Sequence, residues 1–387
     1  MKEQFLLDDS VVFLNHGSFG ACPRPVFEAF QNYQREMERN PVEFLGRRSA
    51  ELLLESRKAL AQYLHADARD LIYVPNATTG VNIVARSLEL APDDVIVTTD
   101  HEYGACDNAW DFVASSSGAK IVRVAIPFPY RAEDFVDRIF AAVTPATRLI
   151  YVSHITSTTA LIFPVAELCA RARQAGVLTL IDGAHAPGQI DLDLSVIDAD
   201  FYVGNCHKWL CAPKGAGFLY ARSELQRLLD APVISWGYSP EIKGHADFTA
   251  YVGHTLFEQR MQWQGTRDIA AFLAVADAIR FQAHHHWSEV RARCHQSAWE
   301  LHERMRERTG LPALYTKGDC AQMVALALPY RDPVALKRRL FDDYRVEVPV
   351  TQHGGHLFVR VSVQGYNQSS DLVALEAAIG AIYGMRS

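Results

Sequence analysis

The stretch Ile181–Ala212 reads IDGAHAPGQIDLDLSVIDADFYVGNCHKWLCA. An apolar run, VLTLI, ends on Asp182, and a second, DFYVG, leads to Lys208, which directly follows a His and lies 26 residues beyond the Asp. A carboxylate and an amine at the ends of two neighbouring strands can hold a flat, charged molecule between them. The remaining question is whether the flanking sequence supplies other parts of such a site.

From Leu71 to Tyr220, β-rich runs (LIYV, DVIVTT, KIVRVAI, RLIYVSH, VLTLID, DFYVG and GAGFLYA) alternate with helix-period segments such as TTGVNIVARSLEL and VAELCARARQAG. This alternation predicts an α/β fold built from βαβ units, a large domain whose mostly parallel seven-stranded sheet is flanked by helices. In such sheets ligands bind beyond the carboxyl ends of the strands. Three groups fall there, Asn76-Ala77-Thr78-Thr79 after LIYV, His154 and Ser157 after RLIYV, and Asp182, and they are expected to converge on one crevice.

The predicted organisation is an N-terminal segment, 1–60, packing on the site, a large domain, 61–267, and a smaller α+β domain, 268–387. The first carries LNHGSFGACPRP, which places Asn15, His16 and Gly17 on or beside an ordered loop. The stretch 231–265 is aromatic and Gly-rich with little period, and a helical segment is expected over 268–308. The strands MVALAL and HLFVRVSV follow, around a helix near 333–344, with a closing helix from Ser370.

Composition narrows the class. With 387 residues, 49% hydrophobic and 21% charged, the chain can bury a large core, and its formal net charge of −7 is modest and dispersed. That argues against nucleic acid as partner and for a small molecule. No apolar stretch reaches membrane-spanning length and the start, MKEQFLLDDSVVFLNHG, has no long apolar run before a small-residue cleavage site, so a cytoplasmic protein away from membranes is expected. The seven Cys read as reduced, packed thiols. Cys206, His207 and Cys211 lack the spacing of a metal site, and His284, His285 and His286 point around a helix and read as a solvated face, so no metal is expected.

Pyridoxal phosphate requires an amine for its aldehyde, a carboxylate against its ring nitrogen, donors for its phosphate and a flat group on its face. Lys208 sits in an apolar setting that favours a neutral, nucleophilic amine. Asp182 keeps a ring nitrogen protonated. Thr78 and Thr79 open a helix whose first turn offers N–H groups and a positive dipole end to an anion, although the same residues also form an ordinary N-cap. Alone, Asp182 reads as a turn residue before Gly183 and Lys208 as a surface amine. Only together do they point to a cofactor.

DGAHAPG, DFYVG and CHKWLCAPKGAGFLY resemble the class V aminotransferase superfamily of PLP-dependent, fold type I enzymes. NATTGVNIVARSL, SHITSTTALIFPVAELC, DGAHAPGQIDLDLS and QGTRD resemble most closely the isopenicillin N epimerase-like group. The resemblance implies that Lys208 bonds the cofactor aldehyde, Asp182 pairs with the ring nitrogen, His185 approaches the ring hydroxyl, and Tyr103 stacks on the ring. It places Thr78, Thr79, Asn205 and His207 at the phosphate, Thr266 at the phosphate of the second subunit of a homodimer, and Ser157 near the ring. Arg360 then grips the substrate carboxylate, with Asn15 and His16 nearby. Phe19, Trp236 and Tyr238 are further candidates to line the pocket.

Two departures bear on function. Asn205 and Cys206 stand where relatives commonly have Ser and Gly. No Cys follows position 320, so the loop nucleophile of cysteine desulfurases is missing from VEVPVTQHGGHLF. The expected activity is PLP-dependent chemistry at the α-carbon of an amino acid or peptide-like substrate, as in an epimerase. A C–S lyase acting on S-substituted cysteines and an aminotransferase are the alternatives, and a PLP-binding protein without turnover is a third.

Overall fold

The computed structural model describes residues 1–238, 249–250 and 252–385. Part of the 231–265 stretch therefore lies outside the described residues. Twelve strands are described: β1 Val12–Phe13, β2 Leu71–Val74, β3 Val95–Thr99, β4 Lys120–Val124, β5 Thr147–Ser153, β6 Leu178–Gly183, β7 Phe201–Asn205, β8 Gly217–Ala221, β9 Met323–Leu328, β10 Val346–Glu347, β11 Val350–His353 and β12 His356–Ser362.

Seven of them form one sheet in the order β2-β8-β7-β6-β5-β3-β4. Neighbours run parallel except at β8, which is antiparallel to both β2 and β7. The strands β2, β3, β6 and β7 are apolar and buried along nearly their whole length because helices cover both faces. The strand β4 closes one edge and carries Lys120 and Arg123 toward solvent, which blunts an otherwise pairable edge.

Connections leave β3 toward β4 and β5 toward β6, in opposite directions across the sheet. A crevice opens where such connections diverge. Register places Ser153 beside Asp182 and Asp182 beside Val203, so the chain ends that follow β5, β6 and β7 stand level at its floor.

A second sheet, β11-β12-β9, is antiparallel and packs against the long helix Trp287–Thr309. The N-terminus is tied to this part of the chain: β1 pairs with β10, and the Ser362 N–H donates to the Leu14 carbonyl at 2.9 Å. That pairing sets Asn15 as the N-cap, and His16 as the first residue, of the short helix His16–Phe19, where an ordered loop was expected on or beside them.

The helical segment expected over 268–308 is three helices, Ala270–Leu273, Val275–His284 and Trp287–Thr309. The break falls on the His run, where His286 adopts a left-handed φ of 49°. His284 and His286 are exposed, as expected, but they stand at a junction and share no helix face. A strand not anticipated, β11, pairs with β12 through a tight Gly354-Gly355 turn whose φ values of 55° and 79° suit glycine. Among the described residues no helix is long and apolar enough to cross a membrane.

Gly188, in the turn after β6, has φ of 87°, and a Cβ there would lie 2.2 Å from the carbonyl of Trp209. Gly188→Ala is expected to lower unfolding free energy by about 3 kcal/mol in urea denaturation, combining left-handed strain with overpacking. A loss below about 0.5 kcal/mol, the range of a neutral surface change, contradicts this tight approach.

Candidate active site

A pocket of about 320 Å³ lies over the carboxyl ends of the large sheet. Its lining includes Asn76, Thr78, Tyr103, Ser157, Asp182, His185, Asn205, His207 and Lys208, so residues from five separate strand ends meet there. Ser18 and Phe19 from the N-terminal helix close one side.

Lys208 follows β7, and its Nζ lies 3.2 Å from His185 Nε2. The indole N–H of Trp209 donates to His185 Nδ1 at 3.3 Å. His185 is buried and its pKa is held far below the usual value, first by desolvation and then by the charge of Lys208. A neutral imidazole that accepts at Nδ1 carries its proton on Nε2, and this proton points at the lysine nitrogen. The arrangement therefore favours Nζ as an acceptor, which only the neutral amine can be. Desolvation, joined by the positive charge of Arg360, lowers the Lys208 pKa to about 8.

Asp182 is buried at the end of β6. Its Oδ1 accepts from the Ala184 N–H at 2.9 Å, and its Oδ2 accepts from the Tyr151 hydroxyl at 3.3 Å. Burial raises its pKa, and among the described residues it forms no ion pair. A cationic N–H placed against it supplies the missing partner.

At the other end of the pocket the Asn205 side-chain oxygen accepts from the Ala77 N–H at 2.8 Å, binding the helix Ala77–Ser87 to the end of β7. His207 Nδ1 lies 3.0 Å from the Ala216 carbonyl, which fixes the proton on Nδ1. Thr78 lines the pocket. Thr79 does not: its N–H and its hydroxyl both reach Asn76 Oδ1, at 2.9 and 3.2 Å. The N-cap has taken these donors, so Thr78 and its neighbours form the anion-facing rim.

Arg360, on β12, is 4% exposed, and among the described residues no carboxylate pairs with it. Its guanidinium donates to the Ser157 carbonyl and hydroxyl, to Ser18 Oγ at 3.1 Å and to Asn15 Oδ1 at 3.4 Å, while Nε finds no partner among the described residues. Desolvation brings its pKa down to about 10. A buried guanidinium held only by neutral groups is poised for an anion. It stands directly behind Ser157 and Ser18, which line the pocket.

His16 is not brought to the pocket. It is fully buried, with Nδ1 3.0 Å from the Tyr366 hydroxyl and Nε2 3.0 Å from the Lys208 carbonyl. Instead of meeting a substrate, it pins the backbone of the lysine. Gly20 packs against the same backbone, since a Cβ there would lie 2.0 Å from the His207 carbonyl oxygen.

The turn after β3 presents Tyr103, 47% exposed, to the pocket. Its neighbours anchor it. Glu102 accepts from Ser153 N–H and Oγ–H at 2.8 and 2.6 Å and from the Thr99 hydroxyl at 2.7 Å, and burial pushes its carboxyl up to about 8. Thr266 is exposed and does not line this pocket, and Trp236 and Tyr238 do not line it either. His154 is buried and turned to the Tyr202 hydroxyl at 2.9 Å. Reading the residues alone missed Ser18, Glu102, Trp209 and Tyr366. NHGSFG was the one signal pointing to Ser18.

Residues 12–376 match the family model described as aminotransferase class-V. The chain belongs to the class-V aminotransferase family. Among curated members, it is 37% identical over 385 residues to the isopenicillin N epimerase of Amycolatopsis lactamdurans, covering 98% of this chain and 96% of that one. It is 36% identical to the isopenicillin N epimerase of Streptomyces clavuligerus, with 99% and 98% covered. A putative L-cysteine desulfhydrase of Oryza sativa subsp. japonica is 28% identical, with 96% and 83% covered. In fold, this class-V member is similar to the apo cysteine desulfurase of Thermococcus onnurineus, with a TM-score of 0.81 at 20% identity over 99% and 97% of the two chains.

The depressed Lys208 pKa has a direct consequence. The amine is protonated below about pH 8 and neutral above it, so capture of added pyridoxal phosphate by cofactor-free protein should accelerate roughly tenfold for each unit up to pH 8 and then level. Stopped-flow absorbance measures this. Continued acceleration past pH 10 contradicts a desolvated Lys208.

Proposed function

We propose that this protein is a pyridoxal-phosphate enzyme that inverts the α-carbon of an amino acid or peptide-like substrate, in the manner of its isopenicillin N epimerase relatives. The carrying observation is the pairing of two unneutralised buried groups around Lys208. Asp182 is a buried carboxyl and Arg360 a buried guanidinium, and among the described residues neither forms an ion pair. Pyridoxal phosphate would be held by Asp182 at its ring nitrogen, by Thr78, Asn205 and His207 at its phosphate and by Lys208 at its aldehyde. The full-length similarity to two epimerases supports the same reading.

When bound, the cofactor supplies an electron-withdrawing ring that accepts charge released at the substrate's α-carbon. The protein's own groups do the rest. Arg360 binds the α-carboxylate through its two-pronged donor face and orients the α-carbon toward Nζ. Asp182 holds the proton on the ring nitrogen. Lys208, as a neutral amine, would take the α-proton. His185, held neutral, donates from Nε2 to the ring-edge oxygen or to Nζ.

Inversion also needs a proton donor on the face opposite Lys208. Of the titratable side chains lining the pocket, Asp182, His185 and His207 are committed to ring and phosphate, which leaves Tyr103. We assign Tyr103 as both the stacking group and the second acid, in a homodimer whose Thr266 reaches the partner's phosphate, in a cytoplasmic enzyme.

The second reading is β-elimination from S-substituted cysteines, favoured by the similarity to a desulfhydrase. Purified holoenzyme incubated in deuterium oxide distinguishes the two. Deuterium at the α-carbon with inverted configuration is expected, and release of pyruvate and ammonia without inversion would establish the lyase. Tyr103→Phe should retain exchange while losing inversion at least a hundredfold, and equal loss of both removes Tyr103 as the second acid. Arg360→Ala should lower kcat/KM by roughly 10²–10³, the worth of a charge-assisted bidentate contact, with cofactor absorbance unchanged.

A further inference from the structure

Three donors converge on Asp182, and two of them are side chains that the chemistry above does not use. Oδ1 accepts from the Ala184 N–H at 2.9 Å, while Oδ2 accepts from the Tyr151 hydroxyl at 3.3 Å and from the Cys106 thiol at 3.7 Å. Tyr151 lies on β5, two residues before Ser153, which stands beside Asp182 in the sheet. Cys106 lies in the first turn of the helix Gly104–Ser117, which opens directly after Tyr103. Both are fully buried, and the buried ring of Trp110 packs 5.6 Å from that of Tyr151. Asp182 is itself 3% exposed, so these donors, far more than water, solvate its oxygens.

That solvation decides where a shared proton rests. In a dry site a carboxylate and a pyridine nitrogen can share one proton as a neutral acid and base or as an ion pair, and desolvation favours the neutral arrangement. Hydrogen bonds donated to the carboxylate favour the ion pair. At Asp182 burial pushes the pKa up, while Ala184, Lys208, Tyr151 and Cys106 each pull it down. Desolvation holds the Tyr151 phenol and the Cys106 thiol above their usual pKa values, so both keep the protons they donate. Glu102, the buried carboxyl nearby, repels charge on Asp182, and its own bonds go to Ser153 and Thr99.

We propose that Tyr151 and Cys106 are positioning residues that keep Asp182 ionised and so place the shared proton on the ring nitrogen of pyridoxal phosphate. This role rests on the proposed placement of Asp182 against that nitrogen. Without either donor an N–H bond is exchanged for an O–H bond on Asp182, and the ring becomes a weaker acceptor of charge from the α-carbon.

Nitrogen-15 NMR of holoenzyme loaded with pyridoxal phosphate labelled at the ring nitrogen reads the place of that proton. The parent protein is compared with Tyr151→Phe, Cys106→Ala, Cys106→Ser and Asp182→Asn, the last of which supplies the unprotonated limit. In Tyr151→Phe the ratio of protonated to unprotonated ring nitrogen should fall about tenfold or more, the worth of a hydrogen bond to a charged group. Cys106→Ala should move the signal in the same direction, and Cys106→Ser, which restores a donor, should return it toward the parent position. If Tyr151→Phe fails to fold, the two Cys106 variants decide the matter. Asp182→Asn displaced, with Tyr151→Phe and Cys106→Ala at the parent position, overturns this role and leaves the placement of Asp182 standing. A parent signal in Asp182→Asn overturns both.

Discussion

Everything near the pocket depends on one buried amine giving up its proton more readily than an exposed lysine does. Lys208 stands in apolar surroundings, receives a proton from His185 rather than giving one, and lies within the field of Arg360. Each effect disfavours the ammonium form, and only Asp182 opposes them strongly. An exposed lysine keeps its proton, and so stays a poor nucleophile, to a higher pH than Lys208, which gives its proton up near pH 8.

Much of the fold serves to hold that amine in place. The N-terminal segment crosses to pair with β10, which delivers His16 to the Lys208 carbonyl and Gly20 to the adjoining backbone. Trp209 sets the tautomer of His185, and its carbonyl in turn accepts from Gln282 at 2.8 Å. The same N-terminal helix contributes Asn15 and Ser18 to Arg360. Lys208 and Arg360 thus share one support, the N-terminal segment paired with β10.

The large sheet and its floor were legible in the sequence because buried parallel strands are written as apolar runs. Asp182, Ser157 and the Asn76 turn each close one of these runs. Lys208, Tyr103 and Arg360 were legible through family likeness, and their surroundings were not. Arg360 meets Asn15 across 345 positions, a contact no local pattern encodes. Thr79 was assigned to the anion because cap and anion cup use the same N–H groups, and the structure gives them to Asn76. His16 carried no sign that its ring faces backbone. The break at His285 was hidden because no Gly or Pro marks it.

Reduction of the holoenzyme with borohydride, followed by peptide mapping, tests the assignment of Lys208 most directly. The expected result is a single pyridoxyl group on Lys208. Lys214 lies six residues on, and burial lowers its pKa too. A label on Lys214 or on any other lysine, with Lys208 unmodified, contradicts the site described.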